Sequence, residues 1–134
     1  MLELKRIVLI DDNDADNEFH EIIIREAGFA GDIVALEDPL AVVPFFAQTD
    51  LSIPTYVFLD INMPMRDGFQ VAEDLSPVLD GHPTVIVLML TSSNARQDRD
   101  RAAQLPVVRD FFVKPLNVRQ AEQLIAKPFS DFFP

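Results

Sequence analysis

Residues Thr55 to Gly68 read TYVFLDINMPMRDG, and the fold follows from how this stretch changes character. Thr55 to Leu59 is too short for a helix and rich in β-branched and aromatic side chains, the composition of a strand buried on both faces. Asn62, Pro64, Asp67 and Gly68 then break it. One carboxylate, Asp60, is thereby delivered to the edge of a loop, and open α/β sheets bind ligands outside the carboxyl ends of their strands.

Outward from this stretch, strand and helix alternate. Upstream, Lys5 to Ile10 is an apolar run ending abruptly in Asp11-Asp12-Asn13. Ala15, Phe19, Ile22, Ile23 and Glu26 recur about one turn apart, predicting an amphipathic helix over residues 14 to 27 that stops at Gly28. Asp32 to Glu37 is the next strand, and Asp38-Pro39 opens a helix that Pro44 shortens or kinks. Downstream, Gly68 to Leu79 reads as a helix disturbed near its end by Pro77. Thr84 to Leu90 is the most apolar run and predicts a central, fully covered strand closing on Thr91-Ser92-Ser93. Asn94 to Gln104 is almost entirely polar, so its helix gains little from burial. Val108 to Val113 is the fifth strand, ending at Lys114-Pro115. Asn117 caps a last helix, Val118 to about Lys127, and the tail Phe129 to Pro134 holds three Phe residues that must pack on the domain or on another protein.

Five such alternations predict an α/β fold, a doubly wound five-stranded parallel sheet with helices on both faces. Right-handed crossovers with a reversal after the first unit give the strand order 2-1-3-4-5. The strand ending at Asp11-Asp12 then lies beside the one ending at Asp60, with the ends at Thr91 and Lys114 following on the same edge.

Composition narrows the function classes. The chain has 134 residues, 49% hydrophobic, no cysteine and a net charge of −11. One domain spanning residues 1–134 is expected, with neither disulfides nor thiolate metal sites. Residues 1 to 60 carry 3 basic and 13 acidic side chains, against 8 and 9 in residues 61 to 134, and this balance speaks against direct nucleic-acid binding. No segment reaches the roughly 18 apolar residues of a membrane span, and no signal-peptide pattern is present; a cytoplasmic location is expected. His20 and His82 lack metal-ligand spacing and read as surface residues.

The acidic pair Asp11-Asp12, Asp60 within DINMPMRDG, Thr91 after the fourth strand and Lys114-Pro115 after the fifth occur in order. Together they resemble the receiver, or phosphoacceptor, domain of bacterial two-component response regulators of the chemotaxis-regulator type. The resemblance implies a flavodoxin-like three-layer sandwich. It implies Mg²⁺ held by Asp12, Asp60 and the backbone carbonyl of Asn62, with Asp11 acting mainly through water. Three carboxylates at adjacent strand ends repel one another, which a hard divalent cation relieves. It further implies that Asp60 accepts a phosphoryl group, that Lys114 neutralises it, that Thr91 donates a hydroxyl hydrogen bond to it, and that Phe111, three residues before the Lys, is the switch aromatic. The expected partners are a sensor histidine kinase or histidine phosphotransfer protein and an unknown output protein, and the resemblance also allows a weak homodimer. The output face would be the fourth helix, fifth strand and fifth helix, with Arg96, Arg99, Arg101, Arg109 and Arg119 as candidate contacts.

The chain departs from the family in Pro106-Val107-Val108, where a small Ala-Gly-Ala-like turn is common, and in Ser92, where Ala is frequent. The altered segment before the fifth strand motivates a second class of function, a receiver-fold binding module that works without phosphorylation. A haloacid-dehalogenase-like hydrolase is disfavoured because Asp60-Ile61-Asn62 lacks the second Asp of a D-x-D pair. A flavin protein is disfavoured because no Ser/Thr/Gly-rich phosphate loop follows the first strand. The preferred expectation is a stand-alone receiver without an output domain, signalling by protein contact rather than as an enzyme.

Overall fold

The structure, a computed structural model, describes residues 2–92 and 95–133. Ser93 and Asn94, where the expected fourth helix begins, and the terminal Met1 and Pro134 lie outside the described residues. The elements are β1 (Arg6–Ile10), α1 (Asp14–Glu26), β2 (Asp32–Leu36), a 3-10 turn (Pro39–Ala41) running into α2 (Val42–Gln48), β3 (Thr55–Leu59), α3 (Gly68–Leu79), β4 (Val85–Thr91), α4 (Arg96–Ala103), β5 (Val108–Val113), α5 (Val118–Ala126) and a closing 3-10 turn (Phe129–Phe132). All strand pairs are parallel, in the order β2-β1-β3-β4-β5, as the alternation and the handedness of crossovers require.

Strand periodicity divides the core into two layers. Val8, Ile10, Val57, Leu59, Val87 and Met89 face α2, α3 and Ala102 of α4. Their alternates Ile7, Leu9, Tyr56, Phe58, Ile86 and Leu88 face α1, α5 and the tail. The five residues of β1, the five of β3 and the seven of β4 are all buried, so these strands read as continuous apolar runs rather than alternating ones. Of the expected strand Thr84 to Leu90, all but the half-buried Thr84 is fully covered, but β3 is the middle strand, because the reversal places two strands on either side of it.

The helix starts follow local chemistry. The Asp38 carboxylate accepts from the Leu40 amide with Pro39 in the first position, and Asp67 with Gln70 and Asn117 with Gln120 form capping boxes on α3 and α5. Pro44 confines α2 to seven residues behind its 3-10 turn, whereas Pro77 is accommodated inside α3.

The face of α1 differs from expectation. Its buried residues are Asn17, His20 and Ile24, while Phe19 and Ile22 are 45% and 52% exposed. The sequence stripe Ala15-Phe19-Ile22 therefore points outward: Asn17 and His20 hydrogen-bond to main-chain groups near the strand ends, and Phe19 meets only the edge of the His20 ring among the described ring contacts. His20 is correspondingly not a surface residue; it is 3% exposed.

Candidate functional site

Asp60 follows β3 directly, and its amide donates to the carbonyl of Ile10, the last residue of β1, at 3.0 Å, continuing the ladder one step past the end of β3. Asp11 occupies the matching place after β1, its amide bonded to Leu36 O at 3.1 Å. The sheet thus sets two buried carboxylates side by side. Carboxylate oxygens of Asp11, Asp12 and Asp60 lie within 4.8 Å of one another, with Asp11 and Asp60 buried and Asp12 exposed. Asn62 is exposed two residues on.

The loop after Asp60 is closely fixed. Met63 is buried, Arg66 forks onto Asp74 with bonds of 2.7 and 2.8 Å, and Gly68 N donates to Ile61 O at 2.7 Å. Met65 takes a left-handed backbone, φ 71°, in which a non-glycine residue is uncommon. Gly68 is obligatory for steric reasons: a Cβ there would lie 2.2 Å from Asp60 O and 2.8 Å from Ile61 Cα.

Lys114 is delivered from the opposite side of the edge. Its amide donates to Thr91 O at 2.8 Å, so the ends of β4 and β5 advance together, and the Lys114–Pro115 bond is cis. Its ammonium group pairs with three carboxylates: Asp11 Oδ2 in a short hydrogen bond, Asp16 Oδ2 at 2.9 Å, and Asp60 Oδ1 at 3.5 Å. Asp60 Oδ1 is itself buried without a hydrogen-bond partner; the Lys114 contact is an ion pair too long for a good hydrogen bond.

These surroundings govern protonation. Burial raises the Asp60 carboxyl pKa to about 6, the negative charge of Asp11 adds to the rise, and Lys114 offsets part of it. Burial works against the Lys114 charge, but hydrogen bonds to Asp11 and Asp16 and the charges of Asp60 and Asp11 leave its pKa above the ordinary lysine value.

Of the other sequence-predicted residues, Thr91 is fully buried at the end of β4, paired with Val113. Phe111 is half-buried on the α4 side of β5, with the Arg99 guanidinium 4.8 Å over its ring. A register irregularity between Val87 and Leu88, opposite Val108 and Asp110, leaves Arg109 as the extra residue of a bulge in β5, and so Val108 and Phe111 share a face. The arginines do not form one patch: Arg101 stacks on Phe69 of α3 and Arg109 on Phe133 of the tail.

Three participants escaped the sequence reading. Asp16 holds Lys114. Asn17 Nδ2 donates to the Asp11 carbonyl at 2.9 Å. His20 Nε2 accepts the Leu116 amide at 3.2 Å, two residues past Lys114, and burial depresses its pKa, so the ring is held neutral as an acceptor. Their signal is the spacing of Asn17, His20 and Ile24 along one face of α1, which an apolar-only periodicity overlooks.

The donor set is wholly oxygen, and a buried carboxylate oxygen lacks a hydrogen-bond partner, which fits a hard divalent cation. Asp11, Asp60, Thr91 and Lys114 thus converge on one sheet edge, and the family profile of the response regulator receiver domain matches residues 7–129. The chain belongs to that family, a family of two-component signalling proteins. Among individual relatives, it is 27% identical over 94 residues to the response regulator Rcp1 of Synechocystis sp., covering 67% of this chain and 64% of Rcp1. The chain thus spans less than two thirds of that relative's length. In fold it is similar to a response regulator receiver protein of Dyadobacter fermentans, with a TM-score of 0.82 at 20% identity over 97% of this chain and 98% of the other. It is also similar to the Mn²⁺-bound form of Rcp1, with a TM-score of 0.68 at 24% identity over 90% and 88% of the two chains.

Proposed function

We propose that Asp60 accepts a phosphoryl group from a phosphohistidine of a sensor kinase or phosphotransfer protein, and that residues 1–134 act as one receiver domain signalling by protein contact. The observation that carries this is the buried, hydrogen-bond-deficient Oδ1 of Asp60 facing the Lys114 ammonium and two further carboxylates. In the transfer, an Asp60 carboxylate oxygen bonds to phosphorus as the donor's P–N bond breaks, and the departing imidazole takes up a proton. Such a transfer asks mainly for positioning and charge stabilisation.

Asp11, Asp12 and Asp60, with the carbonyl of Asn62, are the groups that would hold a divalent cation. Mg²⁺ is our assignment because it accepts oxygen ligands and works with one or two carboxylates plus phosphoryl oxygens; when bound it supplies neutralising charge at the phosphoryl oxygens. Lys114 supplies the second cation, and the Thr91 hydroxyl donates to a phosphoryl oxygen. Phe111, which lacks a hydroxyl, answers by changing its packing under Arg99, so α4, β5 and α5 form the output face. Phosphorylation of this kind biases a two-state element, and α4, with Ala102 as its one buried residue among those described, is the least anchored candidate.

The test is incubation with Mg²⁺ and a small acyl-phosphate donor, followed by intact-mass measurement of wild type and Asp60→Asn. One added phosphoryl group on the wild type alone is expected. No adduct with any donor, or an equal adduct on the variant, overturns the phosphoacceptor role and leaves the phosphorylation-independent module.

A further inference from the structure

We propose that Asp16 is a positioning residue that competes with the phosphoryl group for the Lys114 ammonium and thereby sets how firmly the phosphorylated form is held; this rests on the phosphoacceptor reading of Asp60. A lysine has three donors, and two of those of Lys114 are committed away from Asp60, to Asp11 and to Asp16. Asp60 Oδ1, at 3.5 Å, is the most distant of its three carboxylate partners.

The two competing carboxylates differ in kind. Asp11 is 6% exposed in its side chain, takes the Asn13 amide at 3.0 Å on its other oxygen, and has its carbonyl fixed by Asn17. Releasing Lys114 from it would strand a buried charge, which is costly. Asp16 stands in the first turn of α1 with its side chain 42% exposed. It can turn to water at little cost, so it is the partner that Lys114 exchanges. While Asp16 faces the ammonium, its negative charge draws Lys114 away from Asp60 and opposes a phosphoryl dianion arriving there.

The sign of the effect separates this role from a merely structural one. Loss of a structural contact weakens the site; loss of a competitor strengthens it. The experiment is calorimetric titration of the full chain with beryllofluoride, a phosphoryl analogue, in saturating Mg²⁺. Asp16→Asn, which keeps shape and removes charge, is expected to tighten binding by about two- to fivefold, the range of a partly exposed ion pair. Asp16→Ala should do the same, Asp16→Glu should return towards wild type, and Glu18→Gln, an equal charge change on an exposed α1 residue, should have no effect. Unchanged or weaker binding in folded Asp16→Asn and Asp16→Ala overturns the proposal, as does equal tightening by Glu18→Gln. If the wild type binds beryllofluoride and the Asp16 variants match it, Asp16 alone loses its role; if the wild type neither binds it nor accepts phosphate, the reading of Asp60 falls and this inference with it.

Discussion

Burial and the charge of Asp11 together raise the Asp60 pKa from 3.8 to about 6, which gives the site a measurable cost of assembly. A carboxyl whose folded pKa is raised contributes stability below its unfolded pKa and loses it as pH climbs through the folded one. The window for Asp60 therefore runs from pH 3.8 to about 6. The depressed pKa of buried His20 acts in the opposite sense, costing stability as pH falls, so a simple melting curve against pH mixes the two. Comparison of wild type with Asp60→Asn isolates Asp60. Without divalent cations at pH 7.5, the variant is expected to be more stable by about 1–2 kcal/mol after allowance for solvent screening, or roughly 4–7 °C in Tm. At pH 4 the difference should vanish, and parallel melting-temperature profiles would show that Asp60 is not held under strain.

At the scale of elements, α3 is set as close to the end of β3 as backbone allows. The contacts that a Cβ on Gly68 would make are with main-chain atoms of Asp60 and Ile61, which cannot turn aside as a side chain would. Gly68→Ala should therefore push the start of α3 away from the site at a cost of about 2–3 kcal/mol, with weaker Mg²⁺ binding in calorimetry. Normal metal affinity alongside full stability would mean that the loop relaxes freely. The opposite wall, α1, is polar where it meets the site. Its helical span was legible from period and from Gly28, which takes φ 98°, but not its rotation. Periodicity counts apolar side chains, and here Asn17 and His20 are buried through hydrogen bonds while Phe19 and Ile22 meet solvent.

The whole molecule is closed by its tail at the end of the sheet remote from the acids. Phe129 stacks on Tyr56 with ring centroids 5.3 Å apart, Phe132 meets the same ring edge-on at 5.7 Å, and the Tyr56 hydroxyl donates to Leu124 O at 2.6 Å. Phe132→Ala should cost about 3 kcal/mol in chemical denaturation while leaving Mg²⁺ affinity unchanged, because Tyr56 lies near the start of β3 and Asp60 beyond its end. A loss below about 1 kcal/mol would show the tail to be loosely held. Among the described residues no helix is long and apolar enough to cross a membrane, and the acidic charge is borne mainly by the first 60 residues. By itself the sequence determined the five alternations, the parallel order and the strand-end residues Asp11, Asp60, Thr91 and Lys114, because hydrophobic period and chain-breaking residues are local and crossover handedness is nearly invariant. Only the tertiary structure decided that Asp16, Asn17 and His20 belong to the site, that Arg99, Arg101 and Arg109 lie over three different aromatic rings, and that the tail packs on Tyr56. Those depend on which way a helix turns and which distant residues meet, and a buried polar group declares itself only through partners far away in the chain.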